Sequence, residues 1–378
     1  MNKAKFSYRG IMKKKIAVSM LVAIITLVAG SAANATEMNS FYRGIRPLGM
    51  GDAFTTIAND ENAVFYNPAG LASVEKGSVE ILNPQIEVGE NTMTFYSDAT
   101  GLKSGDTTSA VNLMKANVGK HQHFRASVFP NYTRHNFELG VIGQGTLDAE
   151  IHSPAYPTMS MDVKIDAGVV LGLAHTFMND KLQVGGTAKY VQRQRMYKDF
   201  TAAMVADSGT SYDMNQDKKT GGAIGLDLGA IYFLENEAWK PRVGMVIQNI
   251  GDMNFGDMTV STQTAPIENK IKQSINIGGS VTKQLAFLNT TVAADLKDIA
   301  SNTSDDSDKG KRLHIGVEAK LPKILTVRAG INQGYISYGL GVDFWLIKLS
   351  YAHYKEEVGG YAGQREDARH VVQLSIGF

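Results

Sequence analysis

Arg369-His370-Val371-Val372-Gln373-Leu374-Ser375-Ile376-Gly377-Phe378 closes the sequence in strict alternation. Val372, Leu374, Ile376 and Phe378 fall on one side of an extended chain, and Gln373, Ser375 and Gly377 fall on the other. A strand with one apolar and one polar face suits a closed barrel, whose wall parts lipid from water.

The same period runs upstream. Val163, Ile165, Ala167, Val169, Leu171 and Leu173 oppose Lys164, Asp166, Gly168 and Gly172. Ile224, Leu226 and Leu228 oppose Gly225, Asp227 and Gly229, and Leu313, Ile315 and Val317 oppose His314, Gly316 and Glu318. Period two is the strand signal. The second face carries small residues and charges of both signs, as a barrel lumen does and the inside of a soluble sandwich does not. Strands are expected from 78–88 and 122–133 onward to 346–354 and 368–378, about 14 in all. The links sort by length. Those after odd strands run long (89–121, 198–219, 251–271, 355–367), and those after even strands are short (His135, 178–180, 321–323, 344–345). Long outer loops and short periplasmic turns are the rule for outer-membrane barrels. The two-residue link at 333–334 departs from it. The closing aromatic, Phe378, is like the last residue of bacterial outer-membrane barrels, which signals to the barrel-assembly machinery.

The other end of the chain agrees. Lys13, Lys14 and Lys15 precede an apolar run over 16–28 and the exit Ala33-Asn34-Ala35. This is the layout of a secretory signal peptide over residues 1–35, cleaved before Thr36. Residues 1–35 hold six cations and no acid; without them the formal charge of +1 becomes −5. That balance gives no footing for nucleic acid. Cysteine is absent, so there is neither a disulfide framework nor an acylated N-terminal cysteine. Attachment to outer-membrane lipid must then come from the fold. Mean hydropathy is only −0.14, but alternation hides a barrel's lipid face from such an average.

Residues 36–77 precede the first strand, and 78–378 hold the barrel. Leu48, Met50, Phe54, Ile57, Val64, Phe65 and Leu71 crowd the first segment. Apolar side chains outside any strand need a dry place, and the lumen offers one. The segment is therefore expected to be a plug, or hatch. Its turns are marked by Gly49-Met50-Gly51-Asp52 and by Asn67-Pro68-Ala69-Gly70.

Gly49-Met50-Gly51-Asp52-Ala53-Phe54 through Tyr66-Asn67-Pro68-Ala69-Gly70-Leu71 resembles the N-terminal region of the FadL-like outer-membrane family. The branch that includes the PorV/PorQ-type proteins is the most similar. Gln248-Asn249-Ile250-Gly251 and Ala293-Ala294-Asp295-Leu296-Lys297-Asp298 fit it too. The resemblance implies a 14-stranded barrel with an N-terminal hatch. It further implies either passage of hydrophobic, fatty-acid-like molecules or, in PorV-type members, service to a secreted protein as a scaffold or shuttle.

Motifs for catalysis and cofactors are missing. Gly49-Met50-Gly51 begins like a dinucleotide fingerprint, but Phe54 stands at the third glycine and no strand precedes it. There is no Walker lysine motif, no His-Glu-x-x-His and no Gly-x-Ser-x-Gly. His121 and His123 share one strand face, yet two ligands do not make a metal site. No enzyme, cofactor or metal role is expected. Asp166, Asp227, Asp295, Glu318, Arg328, Asp343 and Lys348 are expected to face the lumen and anchor the plug through ion pairs. Gly140, Gly143 and Gly145 weaken the third strand and mark a candidate lateral opening for apolar cargo, unless they only relieve crowding under the plug.

Overall fold

The computed structural model describes residues 37–378 apart from 39, 208–217, 237, 260–266, 286–287, 304–307 and 323. The leader expected over residues 1–35 lies outside the described residues. Two short helices, α1 (Ile45–Gly49) and α2 (Ala63–Tyr66), and a 3₁₀ turn (Pro68–Ser73) come before the strands. Then follow β1 (Ser78–Leu82 and Gln85–Gly89), α3 (Glu90–Ala99), α4 (Thr107–Ala116) and β2 (His121–Val128 and Asn131–Arg134). β3 (Phe137–His152), β4 (Thr158–Phe177), β5 (Leu182–Thr201) and β6 (Lys218–Phe233) are long, with the short helix α5 (Ala202–Ala206) between β5 and β6. β7 (Arg242–Gln248), β8 (Ser274–Leu285), β9 (Leu288–Leu296), β10 (Leu313–Lys320) and β11 (Leu325–Asn332) are shorter. β12 (Tyr335–Phe344), β13 (Ile347–Glu357) and β14 (Glu366–Gly377) complete the wall.

Each strand pairs antiparallel with its neighbours in sequence, and β14 pairs back onto β1, closing a barrel of 14 strands. The strand ends lie within four residues of those read from alternation. At the seam, the N–H groups of Val79 and Phe378 each donate to the other's carbonyl, at 2.8 and 3.0 Å. Deleting Phe378 removes both bonds where the sheet must close. The expected result is less folded barrel in the membrane, with export through the inner membrane unchanged; equal membrane levels by heat-modified gel migration would count against it.

The faces are inverted relative to a soluble protein. Ile224 is 65% exposed while Asp227, on the opposite face of β6, is 1% exposed. Leu171, Leu173, Leu226 and Leu228 form an outward apolar band. Such a surface is at equilibrium in lipid and not in water. Trp345, Phe344, Phe177 and Phe378 ring the short-turn end, where amphipathic and aromatic side chains meet the interface. Among the described residues no helix is long and apolar enough to cross a membrane.

Two strands are broken. Asn83-Pro84 splits β1, and Phe129-Pro130 splits β2. Proline has no N–H to give a ladder, so it ends pairing where it stands. The breaks sit at one level: Glu80 pairs with Asn131 on one side of them and Gln85 with Ser127 on the other. The tight link at Gln333-Gly334, which alternation left unexplained, is a two-residue hairpin with both φ positive (52° and 91°).

Candidate functional site: an enclosed segment beside a broken wall

Residues 41–74 touch strands around most of a closed ring, so they lie within it. Phe54, Met50, Val64 and Leu71 are all 0% exposed. The wall makes room for them with glycines. A Cβ on Gly172 would strike Val64 at 2.5 Å, on Gly185 the Pro68 backbone at 2.4 Å, and on Gly229 the Asn67 amide at 1.9 Å. Gly316 and Gly330 meet the backbone of Met50 and Gly51 at 2.1 and 2.4 Å. A Cβ on Gly339 would come within 3.0 Å of Gly49 Cα, and one on Gly49 within 3.1 Å of Gly339 Cα, so either would force its neighbour to shift. These glycines come from β4, β5, β6, β10, β11 and β12. All are inward positions of the alternating pattern.

Each turn residue singled out in this segment has a local reason. Gly51 has φ +64° and abuts the carbonyls of Ile315 and Ile331. Asp52 accepts a hydrogen bond from Tyr66 at 2.8 Å and pairs with Lys297. Asn67 is 0% exposed; its side chain accepts from Ala69 N at 3.1 Å and donates to Thr55 O at 2.8 Å. Pro68 opens the 3₁₀ turn, where a missing N–H costs nothing. Ala69 is 0% exposed beneath Gly185. A Cβ at Gly70 would meet Ala58 O at 1.7 Å, so only glycine fits.

The segment has little regular structure, so its buried backbone needs partners. Wall side chains supply them. Asp295 accepts from Phe54 N and Thr55 N at 2.6 and 2.7 Å. Gln144 and Gln85 donate to the carbonyls of Phe41 and Arg43, each at 2.9 Å. Two arginines clamp the ends. Arg46 grips Glu318 with two bonds of 2.8 Å and reaches Asp60 at 2.7 Å; Arg43 donates to Glu356 at 3.0 Å. Of the wall charges named from sequence, Asp295 and Glu318 hold the segment directly. Asp166 and Asp227 pair within the wall with Arg193 and Lys189, Arg328 backs Glu318, and Lys348 pairs with Glu80. Asp343 is exposed. Arg43–Glu356 and Lys297–Asp52 were not foreseen; their partners lie hundreds of residues apart, and no local pattern signals them.

An aromatic cluster lies against the broken wall. Phe129 packs on Phe65 at 4.8 Å and Tyr42 at 6.1 Å between ring centres, and Phe41 adjoins Phe65. The Asn83 side chain spans the gap: it accepts from Phe129 N at 2.6 Å and donates to Phe129 O at 2.7 Å. It thus replaces with one amide the ladder bonds the prolines remove. β3 is not itself interrupted; it pairs with β4 residue for residue from Phe137 to His152. Its glycines flank the break. Gly140 points inward and leaves the space that the Phe129 ring fills, with a Cβ there meeting the ring at 2.5 Å. Gly143 and Gly145 belong to the outward face, opposite Val128 and Ala126.

Two spaces remain inside. A cavity of about 70 Å³ sits between the segment and the long-loop end, lined by Tyr42, Phe65, Tyr66, Lys297 and His314 among others. A cavity that takes benzene is roughly twice that size, so this one suits a few waters. A vestibule of about 840 Å³ opens at the short-turn end, beneath Arg46, Ile57 and Val74.

Comparison with known proteins fits this architecture. Residues 158–298, from β4 to just past β9, match the family described as the F plasmid transfer operon, TraF, protein. No curated protein matches the chain. Among solved structures, the CymD monoaromatic hydrocarbon channel is 13% identical, covers 92% of this chain and 98% of its own, and superposes with a TM-score of 0.51. The TodX monoaromatic hydrocarbon channel deltaS2 mutant is 12% identical over 89% of this chain and 99% of its own, with a TM-score of 0.55. The P. putida toluene transporter TodX is 12% identical over 90% and 99%, with a TM-score of 0.51. At such identities the likeness shows the fold alone, a closed antiparallel β-barrel like that of these channels.

Proposed function

We propose that this chain is an outer-membrane barrel that passes hydrophobic small molecules, with residues 36–77 as its hatch and the break at Asn83-Pro84 and Phe129-Pro130 as a side exit into the bilayer. The observation that carries the reading is the position of the Phe41, Tyr42, Phe65 and Phe129 cluster, which is apolar and lies directly inside that break. An apolar molecule returned to water loses about 0.8 kcal/mol per methylene. A path from the aromatic cluster through the wall to lipid avoids that loss. Gly143 and Gly145 thin the outer surface beside it, and Gly140 lets Phe129 withdraw inward. The neighbouring folds known as hydrocarbon channels support the same cargo class. The enclosed segment bars ions and sugars meanwhile. Phe378, 70% exposed at the seam, is available to the assembly machinery.

Proteoliposomes test the reading. The barrel is expected to speed transfer of a small apolar aromatic probe into the lipid and to leave glucose flux at the level of empty vesicles. Equal probe transfer with and without protein would sink it.

A second reading is a scaffold or shuttle for a secreted partner, as in PorV-type proteins. The match of residues 158–298 to a family named for a plasmid transfer operon favours it. It expects stoichiometric co-purification of an envelope protein from crosslinked cells, together with no probe transfer.

A further inference from the structure

His353 and His370 stand directly opposite each other across the β13–β14 ladder, on the outer face of the wall. Below them on that face run Leu349 and Tyr351 on one strand and Val372 and Leu374 on the other. Apolar residues therefore give way to two imidazoles near the long-loop end, with ring centres 4.7 Å apart. Glu90, the first residue of α3, brings its carboxylate to 3.2 Å from Nε2 of His370. One ligand atom from each of the three lies within 4.8 Å of the other two. His353 is only 8% exposed, and its Nδ1 has no hydrogen-bond partner among the described residues. Leaving a buried nitrogen unpartnered costs about 1–3 kcal/mol, so its persistence here points to an absent ligand.

We propose that Glu90, His353 and His370 bind a zinc ion at the outer rim of the barrel. Two imidazoles and one carboxylate form a borderline set that suits zinc; magnesium and calcium prefer oxygen alone. Three protein ligands leave the fourth tetrahedral position for water, which the exposure of Glu90 permits. Zinc bonds of about 2.0–2.2 Å need only side-chain rotation to draw these atoms together. Tyr351 supports the set: its hydroxyl lies 2.8 Å from Nδ1 of His370, which fixes the ring and leaves Nε2 for the metal. A second trio, Glu37, His121 and Asp148, is less suited because its members are already engaged. Asp367 holds His121 at 2.9 Å and Arg369 holds Glu37 at 3.0 Å.

The site lies at the β1–β14 seam, where Gly89, the residue before Glu90, already pairs with Arg369. α3 has no buried residue, and Thr92 ties it to His123 by a hydrogen bond of 3.0 Å. A metal on Glu90 would fix the first turn of α3, and with it the start of the 90–120 excursion, to β13 and β14.

The test uses the full processed barrel, stripped with chelator and refilled in detergent with zinc chloride, followed by calorimetry and limited proteolysis. One zinc per chain is expected, with magnesium giving no heat. Glu90→Gln, His353→Gln and His370→Gln should each weaken zinc by about tenfold or more. Zinc should also slow cleavage within 90–120 in the wild type and not in these variants. The variants lie on the outer face of the wall or at the exposed start of α3, and heat-modified gel migration confirms that they fold. The proposal is overturned if folded wild type takes up no stoichiometric zinc, if all three variants bind as the wild type does, or if binding is lost in His121→Gln alone.

Discussion

Planar bilayers holding the intact barrel are expected to stay nearly silent, and those holding a barrel without residues 40–75 to show large, steady conductance. Above the segment lies a cavity of about 70 Å³, while the vestibule of about 840 Å³ below it is already open. Removing what lies between joins the two. The deletion also strips the wall of its filling, so a milder variant keeps the test sound. Arg43→Ala with Arg46→Ala breaks both end clamps: buried Glu356 loses its arginine, while Glu318 keeps Arg328. Breaking a buried pair from one side costs about 3–5 kcal/mol. That is enough to turn a held segment into one that opens often, seen as flickering current. Equal conductance in the intact, clamp-free and deleted barrels would refute the hatch.

Asn83→Ala is expected to raise transfer of an apolar probe into the bilayer about tenfold, with ion conductance unchanged. The variant orphans the N–H of Phe129, which the Asn83 amide now satisfies, while the Phe129 C=O keeps its bond from Asn131 at 2.8 Å. A buried N–H left unpaired costs about 1–3 kcal/mol in the closed wall, and about 1.4 kcal/mol is a factor of ten in an equilibrium. Only the closed wall suffers this loss, so the population shifts toward the parted one. Val at Gly143 or Gly145 should act in the opposite sense, by filling the outer surface beside the gap and slowing transfer. If Asn83→Ala and the valine variants all transfer at the wild-type rate, cargo does not leave by this side, and the scaffold reading gains.

Much of the wall was legible because period two is a local property: a strand declares its two faces within a few residues. The side-chain chemistry of the enclosed segment was legible only as need. Seven crowded apolar residues require burial, but sequence does not say against what. That Gly229 accommodates Asn67, or that Glu356 answers Arg43, depends on closure of the whole ring. Pro84 and Pro130 were a signal available and passed over. Each sits inside an otherwise convincing strand, and a proline there demotes the strand or breaks it. Reading them would have moved the candidate opening from the glycines of β3 to the pair of strands beside it. The helices α3 and α4 lie in a long link and carry no wall periodicity to give them away.

The inward glycines bear on how the molecule comes into being. A wall with gaps in its inner surface cannot pack on itself; those gaps are the negative of one particular chain segment. A cork can be pushed into a finished bottle, but here bottle and cork define each other's shape. Phe54, Val64 and Leu71 are, in effect, the hydrophobic core of a protein whose other apolar face looks outward to lipid. Docking of the segment and zipping of the seam at Phe378 should therefore proceed as one cooperative event, with the segment expected to serve as a template for the barrel that later confines it.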